Sequence, residues 1–253
     1  INDLDRVFSK YEIEAVIHLA AFTLVEESVE NPAKYYRNNV FGTLNLLDTM
    51  VKYGVKKIVF SSTAAVYANP QYLPVDEKHP TAYLSPYAIT KKASENFIKY
   101  CGIDYIIFRY ANVYGVGQDA FGEAGVVAKF FDLMTQNKSV QIHGNGKQYR
   151  DFIYVEDVAK ANVLALITDI QDEIINVSTN SRTSINDLFE VMKEELNYKL
   201  KPKYSAQREG DIEKSVLYNG KLISMFHFAP SIDIKTGIRE MVEHYSKTGK
   251  VCA

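Results

Sequence analysis

Tyr87 and Lys91, four residues apart in Ser85-Pro86-Tyr87-Ala88-Ile89-Thr90-Lys91, are the residues whose types and spacing best suit them to chemistry. Serine is a good helix N-cap, and proline is preorganised for the first helical position. The tyrosine therefore falls in the first turn, with the lysine one turn on along the same face. An ammonium and the positive end of the helix dipole both favour a tyrosinate there. A phenol, with an ordinary pKa of about 10, needs such help to act as a base at neutral pH. In a chain with 18 tyrosines, Tyr-x-x-x-Lys alone describes a surface helix equally well. Upstream, however, the apolar run Lys57–Ser61 leads into Ser62-Thr63-Ala64-Ala65-Val66-Tyr67. Ligands gather at the carboxyl ends of parallel strands. A hydroxyl at that end can hold the substrate oxygen whose proton Tyr87 removes.

The surrounding elements are of the kind that would bring these two stretches together. Ala15–Ala20 reads as a buried strand, and Asn31-Pro32 opens a long helix with Val40, Leu44, Leu47 and Val51 at helical spacing. Gly54 stops that helix. Lys57–Ser61 is the next strand, Pro86–Tyr100 a helix and Tyr105–Arg109 a strand. This alternation describes right-handed βαβ units and a parallel sheet. After Tyr114 the rhythm changes. Gly115–Gly125 reads as a mobile loop, Val126–Asn137 as a helix, Val140–His143 as a short strand and Gly144-Asn145-Gly146 as a turn. Helices follow over Asp157–Ile167, over Ser184–Leu196 with capping-box spacing between Ser184 and Asp187, and near Lys235–Tyr245; Glu173–Val177 is a strand.

Composition narrows the partner. The 253 residues carry 29 basic and 31 acidic side chains, a formal net charge of −2, without a basic stripe. That argues against nucleic acid or an anionic membrane and for a small molecule. Cys101 and Cys252 are the two cysteines, so a reducing cytoplasm is the expected location. No apolar run is long enough to span a bilayer, and neither the five histidines nor the cysteines show metal-ligand spacing, so no metal is expected. His18 reads as a packed strand residue.

Ser61-Ser-Thr-Ala-Ala-Val-Tyr67 followed by Ser85-Pro-Tyr-Ala-Ile-Thr-Lys91 resembles the active-site pair of the extended short-chain dehydrogenase/reductase family, in its UDP-glucose 4-epimerase-like branch. His18-Leu-Ala-Ala21 resembles that family's loop beside the cofactor. Asn38-Asn39-Val40 with Gly42-Thr43 resembles its asparagine-bearing helix, and Arg109-Tyr-Ala-Asn-Val-Tyr-Gly115 its strand exit to the sugar nucleotide. Tyr149–Asp157 and Arg208-Glu-Gly-Asp211 resemble its uridine-nucleotide and diphosphate segments.

The resemblance implies an α/β fold. A Rossmann-type doubly wound parallel sheet, lacking its first strands, would be joined to a smaller C-terminal substrate-binding lobe. Residues 1–115 with about 151–178 would form the NAD-binding domain, and 116–150 with 179–253 the nucleotide-sugar lobe. It implies catalysis by Tyr87, Lys91 and Thr63. NAD would be held by Ala20, Ala21, Phe22, Asn38, Ser61, Ser62, Tyr87, Lys91 and Tyr110. A UDP-sugar would be held by Thr63, Asn112, Val126, Gln141, His143, Arg150, Arg208 and Asp211. The pair of helices around Asn39–Tyr53 and Pro86–Tyr100 resembles the family's four-helix dimer interface, so a homodimer is expected.

Within the family, dehydratases place an acidic residue directly after the active-site threonine. Here Thr63 is followed by Ala64-Ala65, which points to 4-epimerisation of a UDP-hexose through a 4-keto sugar. A reductase or dehydratase of the same fold, or a non-catalytic nucleotide-sugar-binding homologue, are the alternatives. Ser215 stands where glucose-restricted members often carry tyrosine, which leaves room for a 2-acetamido group. Ala68 and Asn219 replace the family's usual glycine and aspartate. No glycine precedes Gly42, so the phosphate-binding glycine turn is not in this sequence. The resemblance implies about 50 to 60 further residues carrying the first strand and the helix that receives the pyrophosphate. Without them, weak NAD binding and an exposed edge at Ala15–Ala20 are expected.

Overall fold

A computed structural model describes residues 2–120, 125–207 and 212–249. Its centre is a four-stranded parallel sheet in the order Ala15–His18, Lys57–Thr63, Asp104–Tyr110, Glu173–Val177. Helices cover both faces, so the sheet is doubly wound. On one face Leu46, Leu47, Met50 and Ile98 pack against Ile58, Phe60 and Ile107. On the other, Val158, Ala161 and Ala165 pack against Val59, Ile106, Phe108 and Ile175. Strands buried on both sides are continuous apolar runs, which is why Ile58-Val-Phe and Ile106-Ile-Phe were readable as strands. Ala15–His18 is one of the two edge strands, with all four residues half-buried.

A separate apolar cluster joins helices Val126–Thr135, Ile185–Glu195 and Ile234–Thr248 around Phe131, Phe189, Met192 and Ile238. Between the two lies a parallel pair, Asn112–Tyr114 with Phe152–Tyr154. The capping box is present as its spacing predicts: Ser184 and Asp187 each bond the other's backbone N–H. The turn at Gly144-Asn145-Gly146 also forms, with Gly144 and Gly146 both at φ 70°. A Cβ on Gly146 would lie 1.9 Å from Asn186 Oδ1.

Three features differ from the expected run of elements. The helix opened by Pro32 is not uniform: α-helix over Pro32–Tyr35, a π-helical segment over Tyr36–Phe41, then α-helix over Gly42–Tyr53. Its buried stripe is Val40, Thr43, Leu46, Leu47 and Met50, whereas Val51 is 58% exposed. Residues one apart lie about 100° round a helix, so packing through Met50 turns Val51 outward. Second, Gly220–Phe226, inside the stretch expected in the smaller lobe, is a helix on the central sheet. Leu222 and Phe226 are its apolar anchors there. Third, the short helix Val25–Glu30 was not expected; it has no side-chain cap to announce it.

Ala68 stands in a backbone conformation that favours glycine. It closes the short 3-10 turn Ala64–Tyr67 at φ 52°, ψ −133°, where a Cβ is strained by about 1–3 kcal/mol. Ala68→Gly relieves that strain against a loss of about 0.5–1 kcal/mol of unfolded-state entropy. A net gain of about 1 kcal/mol and a Tm rise of about 2–4 °C are expected. An unchanged or lower Tm in calorimetry would contradict the strain argument.

Candidate active site

Ser85 is the N-cap of helix Pro86–Tyr100, its Oγ accepting from Ala88 N at 3.2 Å. That cap places Tyr87 in the first turn and turns Tyr87, Lys91 and Glu95 onto one buried stripe. The phenol-bearing residue is 8% exposed and Lys91 3%. Lys91 Nζ donates to Ser61 O at 2.7 Å and lies 5.0 Å from the Phe60 ring centroid. The ammonium is thereby held against the strand whose last residue, Thr63, is in extended backbone. Thr63 Oγ1 accepts from Ala65 N at 3.2 Å, which leaves its own proton for donation to a ligand.

The neighbouring strand ends supply the rest of the rim. Ala20 is exposed, and Ala21 and Phe22 are half-buried. Phe22 packs beside Tyr35, with Lys34 Nζ 4.3 Å from its ring centroid. His18 Nε2 lies 2.9 Å from Thr43 Oγ1, and that hydroxyl donates to Asn39 O at 2.6 Å. The imidazole must therefore carry its proton on Nε2. Burial, and next the Lys91 charge, push its pKa down to about 4, so it stays neutral. Tyr110 exchanges hydrogen bonds with Asn162 at 3.0 and 2.8 Å, and burial raises its pKa.

Two of the expected cofactor residues are placed differently from one another and from the rest. Asn38 is exposed and donates to Asn39 Oδ1 at 3.0 Å. Ser62 is 2% exposed, and its hydroxyl donates to the buried Glu95 at 2.5 Å, away from the rim. The side-chain alternation of a strand explains that: Ser61 and Thr63 share one face, Ser62 the other.

Asn39 was not singled out by the sequence reading, although its motif contained it. It is 3% exposed and clamps the rim loop by accepting from Phe22 N at 2.9 Å and donating to Phe22 O at 3.0 Å. It also donates to Thr90 Oγ1 on the Tyr87 helix at 3.2 Å. The π-helical turn carries this residue, in keeping with the habit of such bulges to sit at functional sites.

Five of the eight expected substrate residues come together, while Thr63 stands at the strand exit and is not among the residues lining their cavity. Asn112, Val126, Gln141, His143 and Arg150 line one cavity of about 400 Å³. Arg150 Nη1 donates to Tyr149 O at 3.0 Å, and His143 Nδ1 lies 3.0 Å from Ser205 Oγ. Lys129, Phe130 and Leu133 line it as well. The sequence reading missed them; they follow Val126 at i+3, i+4 and i+7, so helical periodicity from Val126 is the signal that would have found them. Arg208 and Asp211 lie outside the described residues. Among the described residues no group of three or more His, Cys, Asp or Glu could hold a metal ion, and no helix is long and apolar enough to cross a membrane.

The sequence profile of the NAD dependent epimerase/dehydratase family matches residues 1–178. The chain belongs to that family. A Methanocaldococcus jannaschii protein, whose UDP-glucose 4-epimerase name is itself provisional, is 46% identical over 95% of this chain and 80% of its own length. A crystal structure of the Thermotoga maritima UDP-glucose 4-epimerase with UDP-glucose superposes with a TM-score of 0.94. It has 38% identity and covers 98% of this chain and 82% of that one. The UDP-N-acetylglucosamine 4-epimerase of Methanobrevibacter ruminantium, in complex with UDP-N-acetylmuramic acid, superposes with a TM-score of 0.87. It is 33% identical and covers 96% of this chain and 80% of that one.

The family is NAD-dependent, and the rim of this chain at the strand ends offers polar groups suited to a dinucleotide. Ala20 is exposed and Ala21 half-buried, Asn38 presents an amide, and Lys91 is a three-donor cation, one donor of which goes to Ser61 O.

Proposed function

We propose that this chain catalyses the NAD-dependent 4-epimerisation of a UDP-hexose, UDP-glucose and UDP-galactose foremost. The observation that carries this reading is Tyr87 and Lys91 on one buried helical stripe, fastened at Ser61 beside Thr63, with Ala64 and Ala65 following. The half-buried alanines bring no carboxylate to assist water loss, which favours epimerisation over 4,6-dehydration.

In this reading Tyr87, as its phenolate, takes the proton of the sugar 4-hydroxyl, and Thr63 holds that oxygen by donating its own proton. Lys91 stabilises the negative phenolate oxygen and holds the strand exit through Ser61. Bound NAD supplies a hydride acceptor and donor at C4. Inversion at C4 requires the 4-keto sugar to turn over in place, so that the hydride would return to its other face while Tyr87 gives the proton back to the oxygen. The hexose must then be held loosely and the nucleotide firmly. Arg150 and Lys129 line the cavity as cations suited to the diphosphate, and guanidinium forks match phosphate oxygens well. Residues 1–115 with 151–178, joined by helix Gly220–Phe226, would serve the cofactor, and the remainder the nucleotide sugar. The cytoplasm is the proposed location.

Incubating the protein with NAD and separate UDP-hexoses, and identifying products by NMR, tests the activity. Interconversion of UDP-glucose and UDP-galactose is expected. A 4-keto-6-deoxy product, or no turnover alongside tight UDP-sugar binding, would overturn the reading.

Ser215 favours acceptance of N-acetylated sugars too. It is half-buried and its N–H donates to Tyr149 O at 3.2 Å, next to Arg150. Filling that place by Ser215→Tyr is expected to lower kcat/KM for UDP-N-acetylglucosamine about tenfold while sparing UDP-glucose. Equal sugar preference in the two proteins would refute it.

A homodimer is also proposed, through the helices Gly42–Tyr53 and Pro86–Tyr100. Phe41, Val51, Phe97 and Tyr100 are exposed there, Tyr100 by 87%. Sedimentation equilibrium giving a monomer mass at micromolar concentration would exclude it.

A further inference from the structure

Glu95 continues the stripe of the reacting pair, four residues beyond Lys91 and eight beyond Tyr87. It is fully buried, and both its oxygens are engaged. Arg109 forks onto it from the adjacent strand, Nε to Oε1 at 2.9 Å and Nη2 to Oε2 at 2.7 Å. Ser62 Oγ donates to Oε1 at 2.5 Å, and Lys92 Nζ to Oε2 at 2.9 Å. Arg109 Nη1 donates to Tyr67 OH at 3.0 Å, and that hydroxyl donates to Asn176 Oδ1 at 2.8 Å. Asn176 Nδ2 donates in turn to Val75 O at 3.0 Å and Tyr218 O at 3.3 Å.

Ser62, Arg109 and Asn176 are direct cross-strand partners, one residue before the Thr63–Tyr110–Val177 row at the carboxyl edge. In the rows beneath, Ile58, Phe60 and Ile107 on that face belong to an apolar cluster. A buried ion pair rarely outdoes an apolar pair of similar volume in stability, so stability is a poor reason for this row. Its distinguishing property is geometry. A two-point guanidinium–carboxylate fork fixes distance and rotation together, whereas apolar contacts tolerate repacking.

We infer that Glu95 and Arg109 form a positioning clamp that sets the rotation and height of the Tyr87–Lys91 helix against the Thr63 strand exit. The inference rests on the epimerase reading for its kinetic effect. Neither residue touches substrate; both act through the helix. Through Tyr67 and Asn176 the same bonds reach the segments at Val75 and Tyr218, so the clamp ties the base to the loop that follows Ser215.

The test is the double substitution Glu95→Met with Arg109→Met, which removes both charges and leaves neither unpaired. A melting temperature within a few degrees of the parent is expected, with KM within about twofold and kcat lower by about a hundredfold, the size of loss that small misplacement of reacting groups produces. Glu95→Asp, which keeps the charge but shortens the reach, should lower kcat about tenfold with KM unchanged. Hydrogen exchange gives a readout independent of turnover. Amides of helix Pro86–Tyr100 should exchange about tenfold faster in the double variant, because local opening no longer has to break the fork to the sheet, while those of helix Ile185–Glu195 keep the parental rate. Parental kcat and parental exchange in a folded double variant would overturn the clamp. A parent that binds but never interconverts UDP-hexoses sinks the epimerase reading instead, and the exchange rates still decide the clamp.

Discussion

Tyr87→Phe is expected to lower kcat for UDP-hexose interconversion by about 10³-fold, within the range that loss of a positioned general base produces. The ring, which is nearly buried, stays in place, so the fold and the Ser85 cap should be unaffected. The cavity proposed above for the nucleotide, lined by Arg150, Lys129 and His143, is built from other elements. KM should therefore move less than about threefold, the pattern left by an interaction made mainly in the transition state. Steady-state kinetics on both UDP-glucose and UDP-galactose, with bound NAD quantified, provide the measurement. A phenylalanine enzyme turning over at the parental rate would remove the base from the mechanism.

Lys91→Met has the second largest expected effect, and it is separable by pH. The substitution deletes an ammonium one helical turn from Tyr87 on the same face, together with its 2.7 Å bond to Ser61 O. A neighbouring positive charge favours the ionised phenol. Its removal therefore moves ionisation to higher pH and leaves less phenolate at neutrality. At pH 7 a loss of about 10²-fold is expected, with the rising limb of the pH–rate profile displaced upward and part of the activity regained at alkaline pH. An unshifted profile with a uniform loss would mean that Lys91 acts by holding the strand exit alone. His18 reports on the same charge. Its pKa, pushed down to about 4 by burial first and Lys91 second, should rise in the variant yet stay below the ordinary histidine value. Imidazole chemical shifts followed by NMR would register this.

The clamp and the reacting pair share a helix, which bears on how their substitutions combine. Tyr87→Phe removes the proton acceptor itself, so adding Glu95→Met with Arg109→Met should cost little more. Residues acting as one unit give strongly non-additive losses. In electrostatic terms, burial acts to raise the Glu95 pKa, but the Arg109 guanidinium, assisted by Lys92 and Ser62, holds it below the ordinary carboxylate value. The pair therefore stays charged through the pH range in which the phenol does its work. Removing Arg109 alone would strand that carboxylate in the interior, at a cost of about 3–5 kcal/mol.

The parts of the site that were readable beforehand are those set by neighbours a few residues away. Ser85-Pro86 announced the helix and its first turn, and Ser184 with Asp187 announced another; both form as their spacing predicts. The apolar runs at Lys57, Asp104 and Glu173 became the sheet because strands buried on both faces need no polar alternation. The cavity residues Asn112, Val126, Gln141, His143 and Arg150 meet, although they come from four separate elements. Their likeness to a family motif, not their spacing, had grouped them.

What the amino-acid sequence determined alone was the order of elements, the Tyr87–Lys91 spacing and the alanines after Thr63, since capping, periodicity and motif act within a turn or two of chain. Only the tertiary structure decided that Asn39 clamps the rim loop at Phe22, that Ser62 turns away to Glu95, and that Lys129 joins Arg150 at one cavity. Each of those depends on strand register and on which helix face meets the sheet. Such choices are made by the packing of residues far apart in sequence: Glu95 meets Ser62 across 33 positions, and Arg109 meets Tyr67 across 42.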